Sequence, residues 1–320
     1  MSRLNVAVAA KVGRLTAPRS SRLLILIYHR VLVEPDPIFP NEIHAQVFHW
    51  QMELVRRHLH PVALAEGLEM LDRGDLPKGA VAVTFDDGYA DNEQVALPIL
   101  RTHGVPATFF VATGYLNGGR MWNDTVVESI RRMEAGPLDL ASHGIGSFEV
   151  RDAASRREAC RAVISRIKHL PPEIRLHKTR VISELVGREL PENLMMTDAQ
   201  VRHLADAGMD IGGHTVSHPI LRLLSDEEAA SEISDGRARL EKITGRPVTL
   251  FAYPNGRPGE DYGERDVDLV RRAGFRAAVS TRRGPCGQGS DHWQLPRVSP
   301  WGRTPLRWLS RILFEFHGTA

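Results

Sequence analysis

Cysteine is scarce in this 320-residue chain: only Cys160 and Cys286 occur, and neither stands in a C-x-x-C pair or beside a histidine cluster. That leaves no thiolate-based metal site. One bridge would hardly stabilise a domain of this size, so two unrelated reduced thiols are expected, as in a cytoplasmic protein. An excess of charge of either sign is also missing. With 41 basic against 39 acidic side chains the formal net charge is +2, and no global field argues for nucleic acid as a partner. Long hydrophobic runs are absent too. Near the start the longest is Leu23-Leu24-Ile25-Leu26-Ile27, followed at once by Tyr28-His29-Arg30; it is far too short to span a bilayer and reads as a buried strand. Residues 1–20 carry basic side chains but no compact apolar core ahead of a small-residue cleavage site, so no signal peptide is predicted and a cytoplasmic location is the expectation. Internal repeats and low-complexity tracts are missing as well.

What is present is ordinary for a folded globular chain, with 42% apolar and 25% charged residues. One large domain is expected, because α/β barrels reach this length as single units. Short apolar runs predict strands at Leu23–Ile27, Val81–Phe85, Ala107–Val111, Met209–Gly212, Val248–Ala252, Ala277–Ser280 and Gln294–Val298, buried on both faces as in a parallel sheet. Helices are predicted between them at His44–His58, Asn92–His103, Asp198–Ala207, Asp226–Thr244 and Asp266–Ala273. Ser225 with three acidic residues behind it opens the fourth of these, and Gly245 with Pro247 closes it. The stretch 121–191 is rich in charge, broken by Pro171-Pro172 and poor in strand signals, and is predicted to be a mostly helical insertion. An N-terminal extension (residues 1–22) and a C-terminal helix (residues 304–320) flank the body at 23–303. Met1–Leu15 and Leu306–Phe316 mix apolar and basic positions; both are expected to pack on the domain, with a membrane surface as the alternative for each.

Two segments carry the chemistry. Val83-Thr84-Phe85-Asp86-Asp87-Gly88-Tyr89 places adjacent carboxylates at the end of an apolar strand, where parallel α/β folds build their sites and where one Asp can bind a metal while the other faces a reacting water. Taken alone, it also fits a plain turn with a helix cap. Gly212-Gly213-His214-Thr215-Val216-Ser217-His218 follows a second apolar strand, and one helical turn would bring imidazoles at this spacing to the same side. With 14 histidines in the chain some such pair arises by chance. The shared strand-end context nevertheless puts both segments on one barrel rim, within reach of one ion.

Together, Thr84-Phe85-Asp86-Asp87-Gly88 and His214-Thr215-Val216-Ser217-His218 resemble the first two motifs of the NodB-type polysaccharide deacetylases, carbohydrate esterase family 4. The likeness covers roughly Leu23 to Val298 without the insertion. It implies an α/β fold, a distorted (β/α) barrel of the NodB / glycoside hydrolase-deacetylase type. It further implies that Asp86 is the general base and that Asp87, His214 and His218 hold a divalent metal; zinc suits such ligands, although cobalt, nickel or iron fit the same set. Phe251-Ala252-Tyr253-Pro254-Asn255-Gly256 matches the family's third motif in part. Tyr253 and Asn255 are the expected substrate-side residues, with a backbone N–H near Asn255 for the oxyanion. Ala252 stands where the family has an arginine, so Arg297 is expected to steady Asp86 in its place. Leu295-Pro296-Arg297 stands where the family has Leu-x-His. Tyr28-His29 resembles the N-terminal Tyr-His motif of poly-N-acetylglucosamine deacetylases, which makes His29 the expected general acid and His292 the fallback.

The resemblance implies metal-dependent hydrolysis of N-acetyl groups on an amino-sugar polysaccharide or oligosaccharide. A metal amidohydrolase acting on a small amide, and a carbohydrate-binding relative without catalysis, are the alternatives. Tyr89, Trp122, Trp293 and Trp301 are aromatic residues near motif segments and carry no assigned role.

Overall fold

The computed structural model describes residues 22–302 and 304–317. In chain order the strands are β1 (Leu24–Tyr28), β2 (His60–Pro61), β3 (Ala80–Phe85), β4 (Ala107–Val111), β5 (Gly136–Leu140), β6 (Gly146–Val150), β7 (Asp210–Gly213), β8 (Leu250–Ala252) and β9 (Ala277–Val279). The helices are α1 (Ala45–His58), α2 (Leu64–Arg73), α3 (Leu97–His103), α4 (Trp122–Arg132), α5 (Ala153–Ile167), α6 (Pro172–Val186), α7 (Asp198–Asp206), α8 (Asp226–Thr244), α9 (Glu264–Arg272) and α10 (Pro305–Glu315). They form two compact units, one of residues 35–42 and 117–195 and the other holding the rest of the described chain.

In the larger unit the apolar runs become parallel strands in the order β1-β3-β4-β7-β8-β9, with β2 beside the start of β3. Every residue of β1, β3 and β4 is buried, which explains why these strands read as unbroken apolar stretches. Side chains still alternate. Leu24, Leu26 and Tyr28 share a core with Phe48 and Met52 of α1, while Leu23 and Ile25 share another with Ala80, Ala82, Phe110, Leu250 and Leu295. Residues 295–298 bridge the two outer strands. Leu295 donates to the Ala278 carbonyl at 2.9 Å and Val298 to that of Ile25 at 2.8 Å. The predicted strand Gln294–Val298 thus forms isolated parallel bridges to β9 and β1 and links the edges of a curled sheet. Because all these pairings are parallel, the strand ends share one rim. His29 follows β1 there, Asp86 and Asp87 follow β3, and His214 follows β7.

The smaller unit holds α4, α5 and α6, as predicted for 121–191, but also an antiparallel hairpin, β5 with β6, that the sequence pattern did not suggest. Leu138 and Leu140 are buried while Asp139 between them is exposed, an alternation too brief to stand out beside helices of 15 residues. Val126, Ile130, Leu140, Val163 and Ile182 form its core.

The amphipathic segment expected at Met1–Leu15 lies outside the described residues. Helix α10 docks as expected, burying Trp308, Leu309 and Ile312. No helix among the described residues is long and apolar enough to cross a membrane. Cys160 and Cys286 are buried and free, as expected, and burial pushes each thiol up to about 12, so neither forms a reactive thiolate.

Candidate active site

Asp86 continues the β3 ladder, its N–H donating to the Tyr28 carbonyl at 3.0 Å. Its carboxylate meets a guanidinium: Arg297 Nη1 donates to Oδ1 and Nη2 to Oδ2, both at 2.7 Å. Arg297 is itself fixed by donating to the Ser280 carbonyl at 2.9 Å and to Thr84 Oγ1 at 3.2 Å. Both partners are buried, at 2% exposure for Arg297 and 3% for Asp86. Arg297, the residue expected to steady Asp86, reaches it from 211 positions away with a planar fork matched to a carboxylate. Burial alone would raise the Asp86 pKa; the charge and hydrogen bonds of Arg297, then His214 and His29, hold it below the usual carboxylate range. Asp86 is thus ionised, as a proton acceptor must be.

Asp87, one residue on, turns the other way. Its Oδ1 lies 3.4 Å from Nε2 of His214 and 3.4 Å from Nε2 of His218. These three donors form a group in which every ligand atom is within 4.8 Å of the others. The imidazoles converge, with centroids 4.8 Å apart, although not by the predicted helical turn. Residues 214–218 form an irregular loop, in which Thr215 at φ 65° and His218 at φ 52° curl the chain back. Four of the five non-glycine left-handed residues described are Asp87, Thr215, His218 and Asn255, so backbone strain is concentrated on this rim.

The donor set fits a divalent cation. His214 Nδ1 lies 2.7 Å from the Ala252 carbonyl, which fixes the tautomer and turns the Nε2 lone pair toward Asp87. Burial lowers the His218 pKa to about 4 against the pull of Asp87, so this imidazole is neutral near pH 7, the form that ligates. His214 moves the other way: burial lowers it, but the hydrogen bond to Asp87 and the charges of Asp86 and Asp87 raise it more. For Asp87 the raising effect of burial is outweighed by the same histidines together with His29. A cation bound among these donors would favour the neutral form of His214 and the ionised form of Asp87. Two nitrogen donors and one oxygen donor would leave positions open on a cation held there, as in catalytic rather than structural sites.

His29 is exposed on this rim, within electrostatic reach of Asp86, Asp87 and His218. Its loop is tied to the segment after β3. Asn92 Nδ2 donates to the His29 carbonyl at 2.8 Å, and Asp91 accepts from Arg30 Nε at 2.8 Å and from the Val31 N–H at 3.0 Å. His292, the fallback acid, is elsewhere: it pairs with Asp72 at 3.0 Å, next to the end of α2 that leads into β3, and so lies toward the opposite end of the sheet.

Two further expectations divide. Asn255 is half-buried at φ 59°, and its carbonyl accepts from Thr281 Oγ1 at 2.9 Å, which holds the turn where an oxyanion donor was expected. Tyr253 is a correction. It is 1% exposed, its ring stacks on Tyr262 at 3.8 Å, and its N–H donates to the Val279 carbonyl at 3.2 Å. Neither ring nor amide is free for a substrate, because the residue after a central strand belongs to the core here. Sequence reasoning also passed over Asp91, Asn92 and Glu232, which support the loops of the site. An acidic residue and an amide directly behind Asp86-Asp87 were the visible signal for the first two.

The polysaccharide deacetylase family model matches residues 73–169 and 177–278. The chain belongs to that family. The match runs through most of the insertion, which the motif resemblance leaves out, and does not reach His29 or Arg297. Among curated relatives, YxkH of Bacillus subtilis (strain 168), named provisionally as a polysaccharide deacetylase, is 21% identical over 281 residues, covering 88% of this chain and 72% of that protein. The Streptococcus pyogenes deacetylase PplD, solved in complex with acetate, shares the fold at a TM-score of 0.61 and 20% identity, with 92% of this chain and 99% of that one covered. IcaB from Ammonifex degensii is similar at a TM-score of 0.60 and 20% identity, covering 92% and 97%. These agree with the NodB-type α/β barrel and with a hydrolase of the deacetylase family acting on carbon–nitrogen bonds.

Proposed function

We propose that this polysaccharide deacetylase removes N-acetyl groups from an amino-sugar polymer by metal-dependent hydrolysis, with Asp87, His214 and His218 holding the metal. The observation that carries this reading is the meeting, on one rim, of a three-donor group with a second carboxylate that faces Arg297 instead of the donors. A divalent cation at that group, with zinc the best match to nitrogen and oxygen ligands, supplies a Lewis acid that polarises the acetamide carbonyl and acidifies water. Asp86 accepts the proton of the attacking water while Arg297 keeps its two oxygens in register. As the new C–O bond forms, the Asn255 N–H meets the negative charge on the former carbonyl oxygen. His29 donates a proton to the sugar nitrogen as the C–N bond breaks, so the products are acetate and a free amino sugar.

The reading predicts that chelated protein releases no acetate from N-acetylglucosamine oligomers and that added zinc restores release. Undiminished release after complete chelation would contradict it.

A further inference from the structure

The loop that carries both histidines has no regular structure of its own, and two of its residues sit at left-handed φ. Something must hold it. Glu232, half-buried on α8, directs its carboxylate at the middle of the loop: Oε2 accepts from the Val216 N–H at 2.9 Å and the Ser217 N–H at 2.8 Å, and Oε1 from Ser217 Oγ at 2.5 Å. One helical turn on, Gly236 lets α8 touch the loop backbone, since a Cβ there would lie 2.9 Å from the Thr215 carbonyl. The turn after β4 grips the other side. Thr113 and Gly114 donate their N–H groups to the carbonyls of Thr215 and Val216 at 3.2 and 2.7 Å, and Tyr115 Oη donates to that of Ser217 at 2.8 Å.

We infer that Glu232 is a positioning residue for the metal site: its carboxylate, tied to Val216 and Ser217, fixes the strained loop so that His218 stays in register with His214 and Asp87. The inference rests on the proposed metal reading. The backbone donors between the ligands would otherwise turn to water, and the left-handed turn at His218 would relax toward ordinary φ, swinging the imidazole out of the group. Supporting contacts of this kind commonly change metal affinity by about 10–100-fold.

The test is calorimetric titration of the metal-free full-length protein with zinc, with the melting temperature of each metal-free variant measured alongside. Glu232→Ala is expected to weaken zinc binding at least about tenfold while the metal-free protein still melts cooperatively. Glu232→Gln, whose amide can still accept from both N–H groups, restores most of the affinity. Glu232→Asp keeps the charge but withdraws it by one methylene, so it weakens binding even if the alanine variant fails to fold. The control is Asp235→Asn, an exposed position on the same helix, which leaves the affinity unchanged. Parental zinc affinity in both Glu232→Ala and Glu232→Asp would overturn the inference, as would lowered metal-free stability with unaltered affinity. If the parent and His218→Ala bind zinc alike, the ligand assignment itself fails and this inference falls with it.

Discussion

At the scale of single residues, the Asp86–Arg297 pair separates two carboxylates that are adjacent in the chain. Each is buried, yet one faces a guanidinium and the other faces imidazoles, which is the division that the proposed roles of proton acceptor and metal ligand require. Removing the fork isolates a buried charge. Arg297→Leu is expected to destabilise the protein by about 3–5 kcal/mol in urea unfolding and to abolish acetate release, whereas a surface pair would be worth about 1 kcal/mol or less. Little of this was hidden. The absent motif arginine left Asp86 without a partner, and Arg297 sat near the end of a late apolar run. Tyr253 was misplaced because a motif match gives a position in the chain, whereas packing against Tyr262 decides where the ring goes.

At the scale of elements, the site is a set of loops held by neighbours. Asp91 and Asn92 tie the loop after β1 to the one after β3. Asp91→Ala is accordingly expected to lower kcat about tenfold or more through misplacement of His29, less than the loss in His29→Ala at about 10²–10⁴-fold, with zinc affinity unchanged in both. A parental kcat in both variants would remove His29 as the acid. In the smaller unit, Asp36 accepts from Arg131 at 3.1 and 2.5 Å and from the N–H groups of Ile38 and Phe39. Burial raises its pKa, but these partners outweigh that and lower it. A lowered folded pKa means stability that is fully present above the unfolded value near ~4 and is lost as pH falls through the folded value. Asp36→Asn should therefore be less stable than the parent by about 1–3 kcal/mol at pH 7, and the difference should shrink below about pH 4; a constant gap across that range would show that the charge is not responsible. Strands β1, β3 and β4 were legible because burial on both faces leaves unbroken apolar runs, whereas the two-residue, partly exposed β2 was not predicted. The β5–β6 hairpin, with one buried face and five residues a side, left almost no periodic trace. Glu232 was unreadable for another reason: nothing in a helix's own pattern tells which distant loop its carboxylate will meet.

At the scale of the whole chain, parallel pairing brings a carboxylate and two imidazoles more than 100 positions apart onto one rim. Asp87 and His214 are buried at strand ends, while the apolar side chains of β1, β3 and β4 pack on one another and on the surrounding helices. The fold is thus expected to persist without metal, with zinc adding stability only through its own binding. The measurement that tests the account most directly compares acetate release from N-acetylglucosamine oligomers by zinc-loaded parent and zinc-loaded Asp86→Asn protein, with metal content determined in both. The account predicts equal zinc in the two and release at least about 100-fold slower in the variant. Equal rates at equal occupancy would contradict it.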